Sequence, residues 1–216
     1  YISGEVKIKY MEGKLWGTMM GPFGGCYAIR AEYFKQVPDN FLVDDFFIAM
    51  NVFDKGGKAV NELEAICYES VSHELKEEFR RKSRISAGNY QNLFTYFHLL
   101  SPLRGKLAFT FFSHKFLRWM GPFLIIMALV SSLVLMLLGN VIFAGFFGFL
   151  MILIIIIPIF DVVLQNVGIH LRLFRSVRYF FMMNLALLKG FFKYIKGIES
   201  NVWQPTKRTD SVEHDS

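Results

Sequence analysis

The sequence predicts a mixed α/β domain that leads into interfacial and membrane-crossing α-helices. Three observations predict it. From Met120 to Phe160 there are 41 consecutive positions without Asp, Glu, Lys, Arg or His. At ~1.5 Å per helical residue such a stretch would reach roughly 60 Å, about twice the hydrocarbon thickness of a bilayer. Before it, short apolar runs are separated by Gly- and Pro-marked loops, the pattern of strands and short helices. A basic, aromatic-rich segment joins the two regions. With 53% hydrophobic and 19% charged residues among 216, a purely soluble globular protein and a disordered or collagen-like chain are both excluded. The net charge of +6 sits mostly beside the apolar segments, which favours a lipid surface over nucleic acid as its partner.

Residues 1–97 read as the later part of the mixed domain. Val6, Ile8 and Tyr10 alternate with Lys7 and Lys9, the period of a half-buried strand. Gly21-Pro22 and Gly24-Gly25 mark a loop, and Cys26-Tyr27-Ala28-Ile29 follows as a short buried strand. Asp45 to Phe53 reads as a short helix stopped by Lys55-Gly56-Gly57. Ala59-Val60 and Ala65-Ile66-Cys67-Tyr68 read as strands around a polar turn at Asn61-Glu62. Glu74 to Phe97 reads as a long helix, charged at its start and aromatic at its end, broken by Pro102 and Gly105. Two cysteines, Cys26 and Cys67, make no disulfide framework and point to a reducing compartment. The chain opens at Tyr1 with no charged-then-apolar leader, and is read as a C-terminal fragment.

Residues 98–119 form an interfacial amphipathic segment, with Lys106, His114, Lys115 and Arg118 among Phe109, Phe111, Phe112, Phe116 and Trp119. The apolar run is divided by the turn dipeptide Gly139-Asn140 into a hairpin of two spans, 120–138 and 141–160. Arg104, Lys106, Lys115 and Arg118 precede the first span, and Arg172, Arg175 and Arg178 follow the second. The turn between carries no basic residue, so both flanks are expected in the cytoplasm. Residues 161–199 read as a second interfacial helix or a third crossing. At ~100° per residue, Arg175, Arg178, Lys189, Lys193 and Lys196 share one face. Residues 200–216 read as a cytosolic tail.

Three polar elements stand out as candidates for chemistry. The adjacent carboxylates of Asp44 and Asp45 lie inside the apolar segment Phe41–Phe47, where ionised groups are costly unless paired or used. They suit a general base at a strand end, and equally a plain helix N-cap. In Arg80-Arg81-Lys82-Ser83-Arg84, helical spacing puts Arg81 and Arg84 on one face, suited to a polyphosphate or carboxylate. The same residues would serve as a solvated face paired with Glu77 and Glu78. Trp203, Thr206 and Arg208 combine an aromatic ring, a hydroxyl and a cation in an otherwise polar tail. Zinc-protease spacing, paired-cysteine metal spacing, a phosphate-binding Gly-x-x-x-x-Gly-Lys loop and a Gly-x-Ser-x-Gly elbow are all absent from the sequence.

Taken in order, these elements resemble the membrane-embedded family 2 glycosyltransferases, the group of cellulose, chitin and hyaluronan synthases and their bacterial relatives. Gly21-Pro22-Phe23-Gly24-Gly25-Cys26 resembles the family's acceptor-side loop, with Phe23, Gly24 and Gly25 at its centre. Val43-Asp44-Asp45 resembles its acidic dyad, whose second acid, here Asp45, is the catalytic base. Arg81-Lys82-Ser83-Arg84-Ile85 occupies the place of the Q-x-x-R-W motif, keeping Arg84 but with Arg81 for Gln and Ile85 for Trp. Trp203, Thr206 and Arg208 resemble the W-x-x-T-x-R pattern of a cytosolic gating loop that closes over the nucleotide diphosphate.

The resemblance implies the C-terminal part of an α/β, A-type glycosyltransferase domain in residues 1–97. It implies a multi-pass inner-membrane enzyme of polysaccharide or cell-envelope glycan synthesis. The reaction would move a sugar from a nucleotide-sugar donor to a glycan or lipid-linked acceptor. Arg81, Arg84, Trp203, Thr206 and Arg208 would bind the donor diphosphate or the acceptor. A divalent cation, Mg or Mn, is implied for the whole enzyme, with its D-x-D ligands expected before Tyr1, so the fragment alone is expected to lack turnover. No Asp pair here has D-x-D spacing. A non-catalytic scaffold or degenerate subunit is the competing reading, motivated by the missing D-x-D and the altered Q-x-x-R-W.

Overall fold

A computed structural model describes residues 2–24, 26–67 and 75–198. The chain divides into two compact units, Tyr1–Trp119 with Gly190–Ser216, and Met120–Lys189.

The first unit is built around α2, Asp44–Asp54, whose Phe46, Phe47, Ile48, Met50, Val52 and Phe53 are all buried. A helix apolar on every side must sit at a centre, and other elements wrap this one. Along α3, Leu75–Thr95, the buried residues Ala87, Tyr90 and Leu93 continue into Tyr96 just beyond its end. The Phe47 and Tyr96 rings lie 5.6 Å apart, and the Tyr96 hydroxyl donates to the Phe47 carbonyl at 3.1 Å. On the other side Phe46 meets Trp119 at 5.6 Å and Phe111 at 6.4 Å. Each such ring contributes roughly 1.5–3 kcal/mol by burial. Short 3₁₀ turns at Phe97–Leu100 and Pro102–Arg104 carry the chain past Pro102 and Gly105 into α4, Lys106–Phe111. A π-helical turn, Phe112–Phe116, follows.

An α/β sheet is expected from the sequence, and the described residues do not contain one. They are mostly helical, and their only β pairing is one parallel bridge between Thr18 and Ala59. The segment Val6–Tyr10 lies inside α1, Ile2–Trp16, not in a strand. Cys26–Ile29 and 65–67 are not strands either, and Tyr68 lies outside the described residues. The physical reason is partnership. Alternation stabilises a strand only when neighbours complete its hydrogen bonds, and three or more strands are needed for stability. With one bridge available, residues 2–16 satisfy their amides internally as a helix, closed by Gly17 at φ 69°. The A-type expectation therefore does not hold for these residues.

In the second unit, the hairpin turn falls where its dipeptide sits. Gly139 takes φ 83°, and the Asn140 side chain accepts from the Ile142 and Phe143 amides at 3.1 and 3.3 Å. On either side run α5, Leu117–Leu137, and α6, Val141–Met151, the latter continuing through a π turn at Ile152–Ile156 into α7, Ile157–Asn166. That π turn ends two residues before Pro158, which has no N–H to offer the previous helical turn. Two continuous helical stretches, Lys106–Leu137 and Val141–Asn166, are long and apolar enough to cross a bilayer by length and composition. The basic, aromatic-rich residues from Lys106 to Trp119 form the opening of the first of these helices. The last helix, α8, is Arg172–Ile195.

Candidate active site

The acidic pair opens α2. Val43, at φ −134° and ψ 86°, precedes it and supplies no side-chain cap. The two carboxylates satisfy the first turn themselves: Asp44 Oδ1 accepts from the Asp45 amide at 3.0 Å, and Asp45 Oδ1 accepts from the Phe46 amide at 2.7 Å. The other Asp45 oxygen faces the loop at residues 21–24. A Cβ added to Gly24 would stand 2.7 Å from Asp45 Oδ2, so the absence of a side chain there lets the loop close onto the carboxylate. Gly21, at φ 77°, is pressed against the Phe46 ring and the Lys115 ammonium. The structure therefore brings the acidic pair and the loop at residues 21–24 together; Gly25 lies outside the described residues.

Two lysines surround this contact, and neither was singled out from sequence. Lys9, 3% exposed, reaches from α1 to stand 3.9 Å over the Phe23 ring and 3.7 Å from Glu5. Lys115 projects from the π turn to 5.6 Å from the Phe46 ring. Burial raises the Asp45 carboxyl above the usual carboxylate range, against the Phe46 amide; Asp44 adds to the rise, while Lys115 and Lys9 oppose it. Lys9 is itself pulled down by burial, with Glu5, Glu12 and Asp45 holding it up. His114 Nδ1 pairs with Glu12 Oε1 at 3.0 Å and so ties the π turn to α1. The one sequence signal for this group was the Lys9 position within a helical, not strand, period.

On the far side of Asp44, helix α3 holds the loop that delivers it. Arg84 donates to the Leu42 carbonyl at 3.2 Å, the Gln91 amide oxygen accepts from the Leu42 amide at 3.1 Å, and Asn92 donates to the Val43 carbonyl at 3.1 Å. Gly88 leaves room for Val43 to lie directly on the helix. Arg84, Gly88, Gln91 and Asn92 are a polar and small stripe at i, i+4, i+7 and i+8, a pattern legible as one helix face but not recognised as such. A cavity of about 280 Å³ opens beside it, lined by Asp39, Phe41, Leu42, Asp44 and Arg84 among others. Arg84 thus shares a recess with Asp44, whereas Arg81 is solvent-exposed. Lys82 pairs with Glu78 at 3.5 Å, the solvated-face arrangement. Trp203, Thr206 and Arg208 lie outside the described residues.

Among the described residues no group of three or more His, Cys, Asp or Glu side chains could hold a metal ion. Two adjacent carboxylates ringed by Lys9, Lys115 and Arg84 do not fit a divalent-cation site. Compared with known families, residues 8–164 match the one described as glycosyl transferase family group 2. No curated protein and no solved structure matches the chain.

Proposed function

The chain belongs to glycosyl transferase family group 2, and from that premise we propose that it serves a membrane-bound transferase in which Asp45 is the general base. The donor is a nucleotide sugar and the acceptor a glycan or lipid-linked hydroxyl, in polysaccharide or cell-envelope glycan synthesis. Asp45 takes the proton of the acceptor hydroxyl as its oxygen bonds to the anomeric carbon. The bond from that carbon to the donor diphosphate breaks, and the nucleoside diphosphate leaves with the electron pair. Arg84 stabilises the charge growing on the diphosphate, and Arg208, with Trp203 and Thr206, closes over it. The two apolar helices cross the inner membrane, with the basic flanks in the cytoplasm.

The single observation that carries this reading is the Asp45 carboxylate, which accepts from the Phe46 amide through one oxygen and turns the other to the loop at Gly24. The pH dependence of transfer by the intact protein tests it. A base acts only when deprotonated, so a raised pKa moves the acid limb of kcat/KM to higher pH. That limb is expected clearly above the ~4 of an ordinary carboxylate. A limb at the ordinary value, or one that survives in an Asp45→Asn variant, would contradict the assignment.

Gly24→Ala gives a second test with a separate signature. The backbone at Gly24 is not left-handed, so the new methyl strains only the Asp45 carboxylate, the movable end of a side chain. Stability is expected to change little. Turnover is expected to fall about ten- to a hundredfold, because the base is displaced from its working position. Parallel thermal unfolding and kcat measurements check it.

A further inference from the structure

Helix α1 is amphipathic in the reverse of the usual sense for a soluble domain. Its inward face carries Lys9, Gly13 and Glu12, the last with only 12% of its side chain exposed. Its outward face carries Ile8, Met11 and Leu15, which are 55%, 48% and 60% exposed. At ~100° per residue these three lie within about 60° of one another, a continuous apolar stripe. Lys7 and Lys14 are exposed together along one edge of that stripe. At the C-terminal end of α1, Trp16 meets Phe109 edge-on at 6.1 Å, and Phe109 and Phe112 are themselves 61% and 45% exposed.

We propose that this outward face of α1, with Phe109 and Phe112, rests on the surface of an anionic bilayer at headgroup depth. Two observations select lipid as the occupant. The stretch carrying Phe109 and Phe112 runs unbroken from Lys106 to Leu137, and its later part is apolar enough to cross. Through the Trp16–Phe109 contact α1 therefore meets the opening turns of a helix whose later residues are apolar enough to cross. Cationic side chains also flank the stripe, with Lys7 and Lys14 exposed along one edge of α1 and Lys106 at the start of the long helix, while Glu5 and Glu12 on the other edge are held by Lys9 and His114. That is the composition of an in-plane interfacial helix on acidic lipid. The inward face of the same helix delivers Lys9 to the Phe23 loop, so docking would fix the site's height above the bilayer.

The inference rests on the reading that residues 120–137 cross the membrane, and the experiment separates the two. The intact protein, with Cys26 and Cys67 replaced by Ser, carries an environment-sensitive label at Leu15→Cys, Met11→Cys or Val134→Cys. It is reconstituted in phosphatidylcholine–phosphatidylglycerol bilayers containing shallow- or deep-brominated lipid. Labels at 11 and 15 are expected to lose about half their emission to shallow bromines and to resist aqueous iodide. The label at 134 is expected to respond to deep bromines. Quenching of 11 and 15 is expected to rise with phosphatidylglycerol content, and Lys7→Gln with Lys14→Gln to remove that rise. A response at 134 with iodide-accessible labels at 11 and 15 overturns the docking and leaves the crossing intact. Labels at 11 and 15 shielded from both quenchers mean a protein cover and overturn it too. No response at 134 overturns both readings.

Discussion

Asp45→Asn is expected to lower sugar transfer by the intact protein ~10²- to 10⁴-fold, the range a positioned general base supplies. The substitution is close to isosteric. Asn keeps an oxygen that can accept from the Phe46 amide at the start of α2, so the helix start survives. It removes a carboxylate whose charge is already opposed by burial, so folding and membrane insertion are expected to be unchanged or slightly improved. What is lost is proton acceptance alone. Asp44→Asn is expected to cost less, because Asp44 caps the Asp45 amide and lines the cavity without meeting Gly24. Initial rates with saturating donor and acceptor, beside thermal unfolding of the same preparations, check the pair. Wild-type transfer by Asp45→Asn would remove the base assignment and favour the scaffold reading.

The acidic pair, the helix it opens, the stop at Gly56 and the Gly139-Asn140 turn were legible because each rests on local chemistry. A carboxylate in the first helical turn, a left-handed glycine and an amide that caps its own helix need no distant partner. The sheet was misread because a strand is not a local object. Val6 to Tyr10 alternates, but with no ladder to join among the described residues it forms part of α1. Once that segment is a helix, Lys9 turns inward to Phe23 and Ile8 turns outward, and both consequences were hidden by the strand reading. Lys115 was legible as a basic residue before a span, but its direction is set by a π turn that composition does not announce. The stripe Arg84, Gly88, Gln91 and Asn92 was partly seen through Arg84, as a motif and not as the face that grips residues 42–43.

Asp161→Leu or Arg178→Met alone is expected to destabilise the second unit by about 3–5 kcal/mol, while the two together restore most of the loss. Asp161 is 1% exposed, in a helix of otherwise apolar character. Arg178 Nε stands 2.9 Å from its Oδ2. Gln165 donates to the same oxygen at 3.0 Å and accepts from Arg178 at 3.2 Å, closing a triad between α7 and α8. In apolar surroundings such a pair offsets a large desolvation cost only while both charges are present. Removing Asp161 strands a guanidinium, and removing Arg178 strands a carboxylate. Removing both leaves an apolar contact that the surroundings accept. The pair therefore acts through coupling, and a double-mutant cycle on thermal or denaturant unfolding of the intact protein reads it directly. Asp161→Asn is expected to fall between, losing about 1–3 kcal/mol, since its amide oxygen still accepts from Arg178. Single substitutions that cost under ~1 kcal/mol and add without coupling would show that the pair is solvated, and that α8 is not pinned to α7 by its charges.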